Sequence, residues 1–372
     1  MKFLSLALLG CAMFCTTFST QTSLNAEETT TAAVPSNTVR IVIEKEGEDT
    51  FKAYNYDSKG KKEPLTLGTF FRASAEVMLG KKIADCKKGE PLKLLYDKDS
   101  NGNTMTFLVD SQGVKKRFLF KDLIVALPGT LQCGETKTPA PVSTAKPNPN
   151  EVLIFFDKDS SGNLQTYIVH TDGRKELLEF ADLFTSTAEL LKDCPLGTEK
   201  DRAVYIVFEK NSTINPQTRS ADKYPPNALQ TVQIDAYGQK EELNLDNIVH
   251  AAAETLQVCA SKKGMTLAAP PASPFLKIQF EKDSSNHLQA FLVDSKGKRG
   301  DLTLGTLMTA AAGISPCKYA PKTHFIDVVF EKDSTGGLKP VVVDSQGEKK
   351  DFNLIGNLLT TALTLCANQG KK

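Results

Sequence analysis

Phe325-Ile326-Asp327-Val328-Val329-Phe330 and Lys339-Pro340-Val341-Val342-Val343 flank the stretch Asp333-Ser334-Thr335-Gly336-Gly337. Two β-branched and aromatic runs joined by Asp, Ser, Thr and Gly read as a β-hairpin. Asp344-Ser345-Gln346-Gly347 makes a second turn, its glycine free to take positive φ, and a brief third strand, Asp351-Phe352-Asn353-Leu354, is expected next. Ile355, Leu358, Leu359, Ala362, Leu363 and Cys366 then recur at three- and four-residue steps. That is the apolar stripe of an amphipathic helix. The predicted unit is a three-stranded antiparallel meander followed by one helix, an α+β fold.

The same landmarks recur along the chain. An acidic residue followed by Lys closes an apolar run at Glu44-Lys45, Asp97-Lys98, Asp157-Lys158, Glu209-Lys210, Glu281-Lys282 and Glu331-Lys332. A turn glycine follows at Gly60, Gly113, Gly173, Gly238, Gly297 and Gly347, sixteen residues after the acid in five cases and twenty-nine in the fourth. Each segment ends at one cysteine: Cys86, Cys133, Cys194, Cys259, Cys317 and Cys366. Self-similarity at fixed spacing is the signature of repeat architecture, and it predicts six tandem repeats. They span 38–86, 91–133, 151–194, 202–259, 275–317 and 324–366, with the thirteen extra residues of repeat 4 in a loop at 211–229.

A unit of about 45 residues buries too little surface to stand alone, so neighbours must share cores. An open array, three two-unit domains and a closed ring of six all meet that need. The Pro-rich linker at 134–150 and a second at 260–274, with Pro270, Pro271 and Pro274, suggest breaks that group the repeats in pairs as 1–2, 3–4 and 5–6. With one cysteine per unit, any bridge joins two units. The same grouping favours Cys86 with Cys133, Cys194 with Cys259, and Cys317 with Cys366. The alternative is a small buried apolar residue at each site.

At the N-terminus, Lys2, an apolar run from Phe3 to Phe18 and a polar stretch ending Leu24-Asn25-Ala26 have the layout of a secretory signal peptide over 1–26, followed by a disordered segment at 27–37. Leu8-Leu9-Gly10-Cys11 also resembles a lipobox, which would make Cys11 a lipid anchor. The apolar run is shorter than the roughly 20 residues of a membrane span, and no transmembrane segment is expected after cleavage. A secreted or periplasmic location follows. Lys+Arg 45 against Asp+Glu 44 becomes an even balance without Lys2. Such a chain has no basic excess with which to bind nucleic acid.

Little chemistry is legible. Asp97-Lys98-Asp99-Ser100-Asn101-Gly102-Asn103 and Asp157-Lys158-Asp159-Ser160-Ser161-Gly162-Asn163 resemble the opening of an EF-hand loop, but Leu108 and Ile168 stand where its bidentate acid belongs. A hairpin turn selects the same residues. His170, His250, His287 and His324 occupy different places in their units, and no nucleophile, phosphate-loop or zinc motif is present. No catalytic residue, metal or cofactor is expected. The loop of repeat 4 brings Arg219 and Tyr224, side chains typical of interface anchors. The sequence therefore points to an exported, non-enzymatic repeat protein that binds a protein or surface polymer multivalently or serves as a structural component. The alternative is an inhibitor or effector acting through that loop.

Overall fold

The computed structural model describes residues 34–45, 51–57, 59–98, 104–110, 113–133, 151–189, 203–210, 229–256, 266–271, 275–285, 287–294, 296–314, 323–344, 347–357 and 359. The first unit comprises β1 (Thr38–Lys45), β2 (Phe51–Tyr56), β3 (Lys62–Pro64) and α1 (Leu67–Leu79). After a short strand β4 (Lys87–Lys88), the second has β5 (Leu92–Lys98), β6 (Thr104–Val109), β7 (Lys115–Arg117), α2 (Phe120–Ala126) and a 3-10 turn, then β8 (Leu131–Gln132). The third is β9 (Glu151–Lys158), β10 (Leu164–Val169), β11 (Lys175–Leu177) and α3 (Phe180–Glu189). The fourth is β12 (Ala203–Lys210), β13 (Leu229–Ile234), β14 (Lys240–Glu242) and α4 (Leu245–Leu256); the fifth is β15 (Phe275–Lys282), β16 (Leu288–Val293), β17 (Arg299–Asp301) and α5 (Leu304–Ile314). The sixth has β18 (Thr323–Lys332), β19 (Leu338–Asp344) and β20 (Lys349–Asp351), leading into helical residues 354–357 and 359. The fold is α+β, with mixed antiparallel sheets and helices.

Local chemistry accounts for the recurring order. All six landmark glycines have positive φ, from 75° at Gly60 to 91° at Gly173. Each N–H bonds to the carbonyl three residues back, as from Gly113 to Asp110 at 2.9 Å. A side chain at such a φ would be strained, and this fixes where the second strand turns into the third. Two of the helices start on reciprocal threonine caps: Thr66 and Thr69 bond each other at the start of α1, and Thr303 and Thr306 do so before α5. The last third strand lies at Lys349–Asp351, earlier than expected, because Leu354 is already buried as the first helical residue.

The expected grouping of the units is corrected by the sheets. Three six-stranded antiparallel sheets run β20-β19-β18-β1-β2-β3, β11-β10-β9-β5-β6-β7 and β14-β13-β12-β15-β16-β17. Unit 1 thus shares a sheet with unit 6, unit 2 with 3, and unit 4 with 5, through their first strands. The Pro-rich segments connect units that share a sheet, so they do not mark breaks. Antiparallel first strands need a long return connection from the end of one unit to the start of the next. Units 1 and 2, on different sheets, are joined by the Cys86–Cys133 disulfide and by pairing of β4 with β8. Units 3 and 4 are joined by packing of α3 on α4.

The register is the same in all three sheets. The residue four positions before the recurring acid faces its counterpart: Arg40 opposite Asp327, Lys93 opposite Leu153, and Tyr205 opposite Lys277. The inner faces meet in one apolar core containing Ile41 and Phe70 of unit 1, Leu94 and Phe120 of unit 2, Ile154 and Phe184 of unit 3, Ile206 and Ile248 of unit 4, Ile278 and Leu307 of unit 5, and Val328 and Ile355 of unit 6. One core drawn from every unit excludes three independent two-unit domains. Pairing of β1 with β18 excludes an open array.

Helices also cross between sheets. α1 lies on β10, α3 on β16 and α5 on β2, a cyclic order among units 1, 3 and 5. Units 2, 4 and 6 meet at their helix starts. The Phe120 N–H donates to Asp246 Oδ1 at 2.8 Å, and Asn353 Nδ2 donates to the Leu243 carbonyl at 2.9 Å. A Cβ at Gly356 would stand 2.7 Å from that carbonyl, so only glycine fits this approach.

Candidate functional site

The faces of the sheets turned away from the core carry a recurring group of side chains. The acid that ends the first strand is joined by a base from the third strand, two residues after the turn glycine. Lys115 Nζ lies 2.7 Å from Asp97, Lys175 Nζ 2.6 Å from Asp157 and Arg299 Nη1 2.8 Å from Glu281. Lys62 pairs with Glu44, and Lys349 with Glu331, in the same way. In four of these units an aromatic ring on the second strand, six residues before the glycine, lies under the cation. Lys62 stands 3.9 Å from the Tyr54 ring centre, Lys115 4.3 Å from Phe107, Lys175 4.1 Å from Tyr167 and Arg299 3.6 Å from Phe291. Valines 232 and 341 take that place in units 4 and 6.

Pleating produces this arrangement. Alternate residues along β10 (Leu164, Thr166 and Ile168) are buried, which leaves Gln165, Tyr167 and Val169 on the other face. A ring on the middle strand then lies between an acid and a base on its two neighbours. The base side chains remain substantially exposed, 40% at Lys115 and 44% at Arg299. Each exposed ion pair contributes at most about 1 kcal/mol, and each exposed cation–π contact about 0.5–1 kcal/mol. Burial works to raise the Asp157 pKa, but hydrogen bonds from the Lys175 ammonium and the Lys158 N–H, with the charges of Lys175 and Lys88, outweigh it and hold it below the usual carboxylate range. Burial likewise lowers Lys88, whose ammonium lies 3.9 Å over the Phe155 ring. The bases also occupy the three-residue edge strands, where charge discourages pairing with further strands.

Several expected residues are placed by the structure. The Asp157–Asn163 segment is a tight turn: Asp159 Oδ1 accepts the Ser161 and Asn163 N–H groups, each at 2.9 Å, and Asp157 is held by Lys175. Asp283 and Asp333 make the same turn in units 5 and 6. The hairpin-turn reading accounts for these carboxylates. Arg219 and Tyr224, Cys194, Cys259, Cys317 and Cys366, residues 99–103 of the 97–103 motif and residues 1–33 lie outside the described residues. The Cys86–Cys133 bridge closes a separation of 47 residues. His250 lies on α4 and His287 at a hairpin tip, whereas His170 is buried at 2% exposure.

Sequence reading found the acid and the glycine but missed the base and the ring. Their spacing was available: Lys62, Lys115, Lys175, Lys240, Arg299 and Lys349 all stand two residues after the glycine. It passed unnoticed because lysine near a turn is common and only a third strand gives it a partner. Among the described residues, no helix is long and apolar enough to cross a membrane. No known protein family, characterised protein or solved structure matches the chain.

Proposed function

We propose that the six units are copies of one duplicated module, and that the chain is an exported, non-enzymatic protein binding a surface polymer or protein through many equivalent weak contacts. The observation that carries this reading is the recurrence of the acid–ring–base group on the outward faces of three sheets. A ring, a base over it and an acid beside them together offer apolar surface and hydrogen-bonding groups to a sugar or side chain at one place. Several such groups on one rigid body give high effective concentration without any strong single site. Export is supported by the leader-like residues 1–26, with Cys11 as an alternative lipid anchor, and by the Cys86–Cys133 bridge, which suits an oxidising compartment.

The test is retention of the mature chain on peptidoglycan, chitin, cellulose and collagen surfaces, with Lys62, Lys115, Lys175, Arg299 and Lys349 changed to serine one, three and five at a time. Retention should fall stepwise and by more than tenfold across the series. Loss of all retention with one substitution, or no retention by the folded wild type on any surface, would overturn the reading. A second reading, inhibition of a target protein through the loop of unit 4, is favoured by one observation. β12 and β13 stay paired up to Lys210 opposite Leu229, so the insertion hangs from an intact hairpin. Deleting the thirteen residues 214–226 leaves a five-residue turn like that between Lys158 and Leu164, and should abolish target binding while leaving polymer retention unchanged.

A further inference from the structure

Unit 3 departs from the other five at one position. Three residues before the turn glycine they carry Asp57, Asp110, Asp235, Asp294 and Asp344, whereas unit 3 carries His170. In the other units this carboxylate ties the turn; Asp235 Oδ1, for example, accepts the Tyr237 and Gln239 N–H groups at 2.9 and 2.8 Å. The turn of unit 3 closes without that help, through Gly173 N–H to the His170 carbonyl at 2.9 Å and Asp172 accepting the Arg174 N–H at 2.9 Å. The imidazole that stands in the place of that carboxylate is buried, with its side chain 3% exposed.

Two carboxylates from two further elements meet it there. Glu176 lies on β11, with Oε2 3.5 Å from His170 Nε2, and Asp182 lies in the first turn of α3. One ligand atom from each of the three lies within 4.8 Å of the others. Both carboxylates are held from outside the cluster. Asp182 Oδ2 accepts the Glu179 N–H at 2.7 Å, and Glu176 Oε1 accepts from Arg174 Nη1 at 2.7 Å. Each keeps its other oxygen for the cluster. The same corner of unit 2, where Asp110, Lys116 and Asp122 hold the equivalent positions, is an open groove of about 280 Å³.

We propose that His170, Glu176 and Asp182 form a binding site for one divalent transition ion of the zinc type, with water completing the coordination on the exposed Glu176 side. One imidazole and two carboxylates are a donor set that such ions accept, and a three-ligand site leaves a position open. Metal–ligand bonds of about 2.0–2.2 Å require the three side chains to close in by about 1 Å. Rotation of Glu176, half-exposed on an edge strand, permits this. The site is independent of the outward-facing groups, so polymer retention can fail without touching it.

The test is titration of the native, thiol-blocked chain with zinc chloride by calorimetry, and with cobalt(II) chloride by its visible d–d absorption. One equivalent should bind with micromolar affinity and without sulfur-to-metal charge transfer, and zinc should raise the melting temperature. His170→Asp installs the residue that the other five units use, so it should fold, and it should weaken binding at least tenfold. Glu176→Gln, on the exposed edge strand, gives a second reading should His170→Asp fold poorly. Absence of binding in the wild type, or unchanged affinity in either folded variant, would falsify the assignment.

Discussion

The sheet shared by units 1 and 6 and the sheet shared by units 4 and 5 solve one problem in opposite ways. In both, the residue four before the recurring acid faces its counterpart at the centre of the outer face. In the first, Arg40 Nε and Nη2 bond both oxygens of Asp327, at 2.7 and 2.9 Å, with the guanidinium 4.4 Å from the Phe325 ring centre. In the second, Tyr205 faces Lys277 and sets its ring edge-on against Phe275, 5.3 Å between centres. The backbone ladders are alike and cannot choose among six similar first strands. The central slot can, because any other partner would leave Arg40 or Asp327 buried without its counter-charge. Uncompensated burial of a charge costs several kcal/mol, enough to decide which unit pairs with which.

Breaking the charged centre should have the largest effect. Asp327→Ala strands the Arg40 guanidinium in a site where its side chain is 7% exposed, and the expected loss is about 3–5 kcal/mol, read from the denaturant midpoint. Arg40→Met with Asp327→Leu removes both charges and should restore wild-type stability or exceed it by about 1–4 kcal/mol. Its refolding is the sharper measurement. A double variant that refolds as slowly and heterogeneously as Asp327→Ala would show that the pair selects the partner strand as well as filling the slot. Refolding as uniform as wild type would remove the selection role.

The apolar centre should follow at a somewhat lower cost. Tyr205 is 5% exposed and belongs with Ala203, Val207 and Val232 to a small cluster on the outer face. Tyr205→Ala should cost about 3 kcal/mol by lost packing. That loss should depend less on salt than the loss in Asp327→Ala, because burial of the ring against Phe275 carries most of it. A loss as salt-dependent as that of Asp327→Ala would mean that the contrast between the two centres is drawn in the wrong place.

Much of one unit could be read from the chain, and little of how units combine. The acid and glycine spacings located the strand ends and the turns because a positive φ and a hydrophobic period are local properties. Sheet sharing is not local. Prolines near 140 and 270 suggested breaks, yet they lie on the return path between strands that pair. The informative residues were Arg40, Lys93, Leu153, Tyr205, Lys277 and Asp327, each at a fixed offset from its acid; only knowledge that first strands pair antiparallel makes them opposite one another. His170 was discounted for standing outside any motif. Its neighbours Glu176 and Asp182 come from a strand and a helix that only the turn brings together.

A partly buried acid bounds the comparison from below. Asp246, at the meeting of units 2, 4 and 6, has a backbone donor where Asp327 has a guanidinium. Burial raises its pKa to about 6 against an ordinary 3.8, partly opposed by the Phe120 N–H bond and by Arg117 and Lys121, while Asp122 nearby adds to the rise. The native state therefore holds a proton between these values that the unfolded chain has released. The stabilisation is complete below about pH 4 and is lost as pH rises through 6. Asp246→Asn keeps an oxygen to accept the Phe120 N–H and cannot ionise. It should match wild type at pH 4, gain on it between pH 4 and about 6 as the native carboxyl ionises, and hold a lead of about 1–2 kcal/mol from there to pH 8 once partial exposure is allowed for. An Asp246→Asn difference that is constant from pH 4 to pH 8 would mean that this carboxylate ionises freely in the folded protein. Burial alone would then not separate it from Asp327, and the guanidinium would no longer be the feature that distinguishes the charged sheet centre.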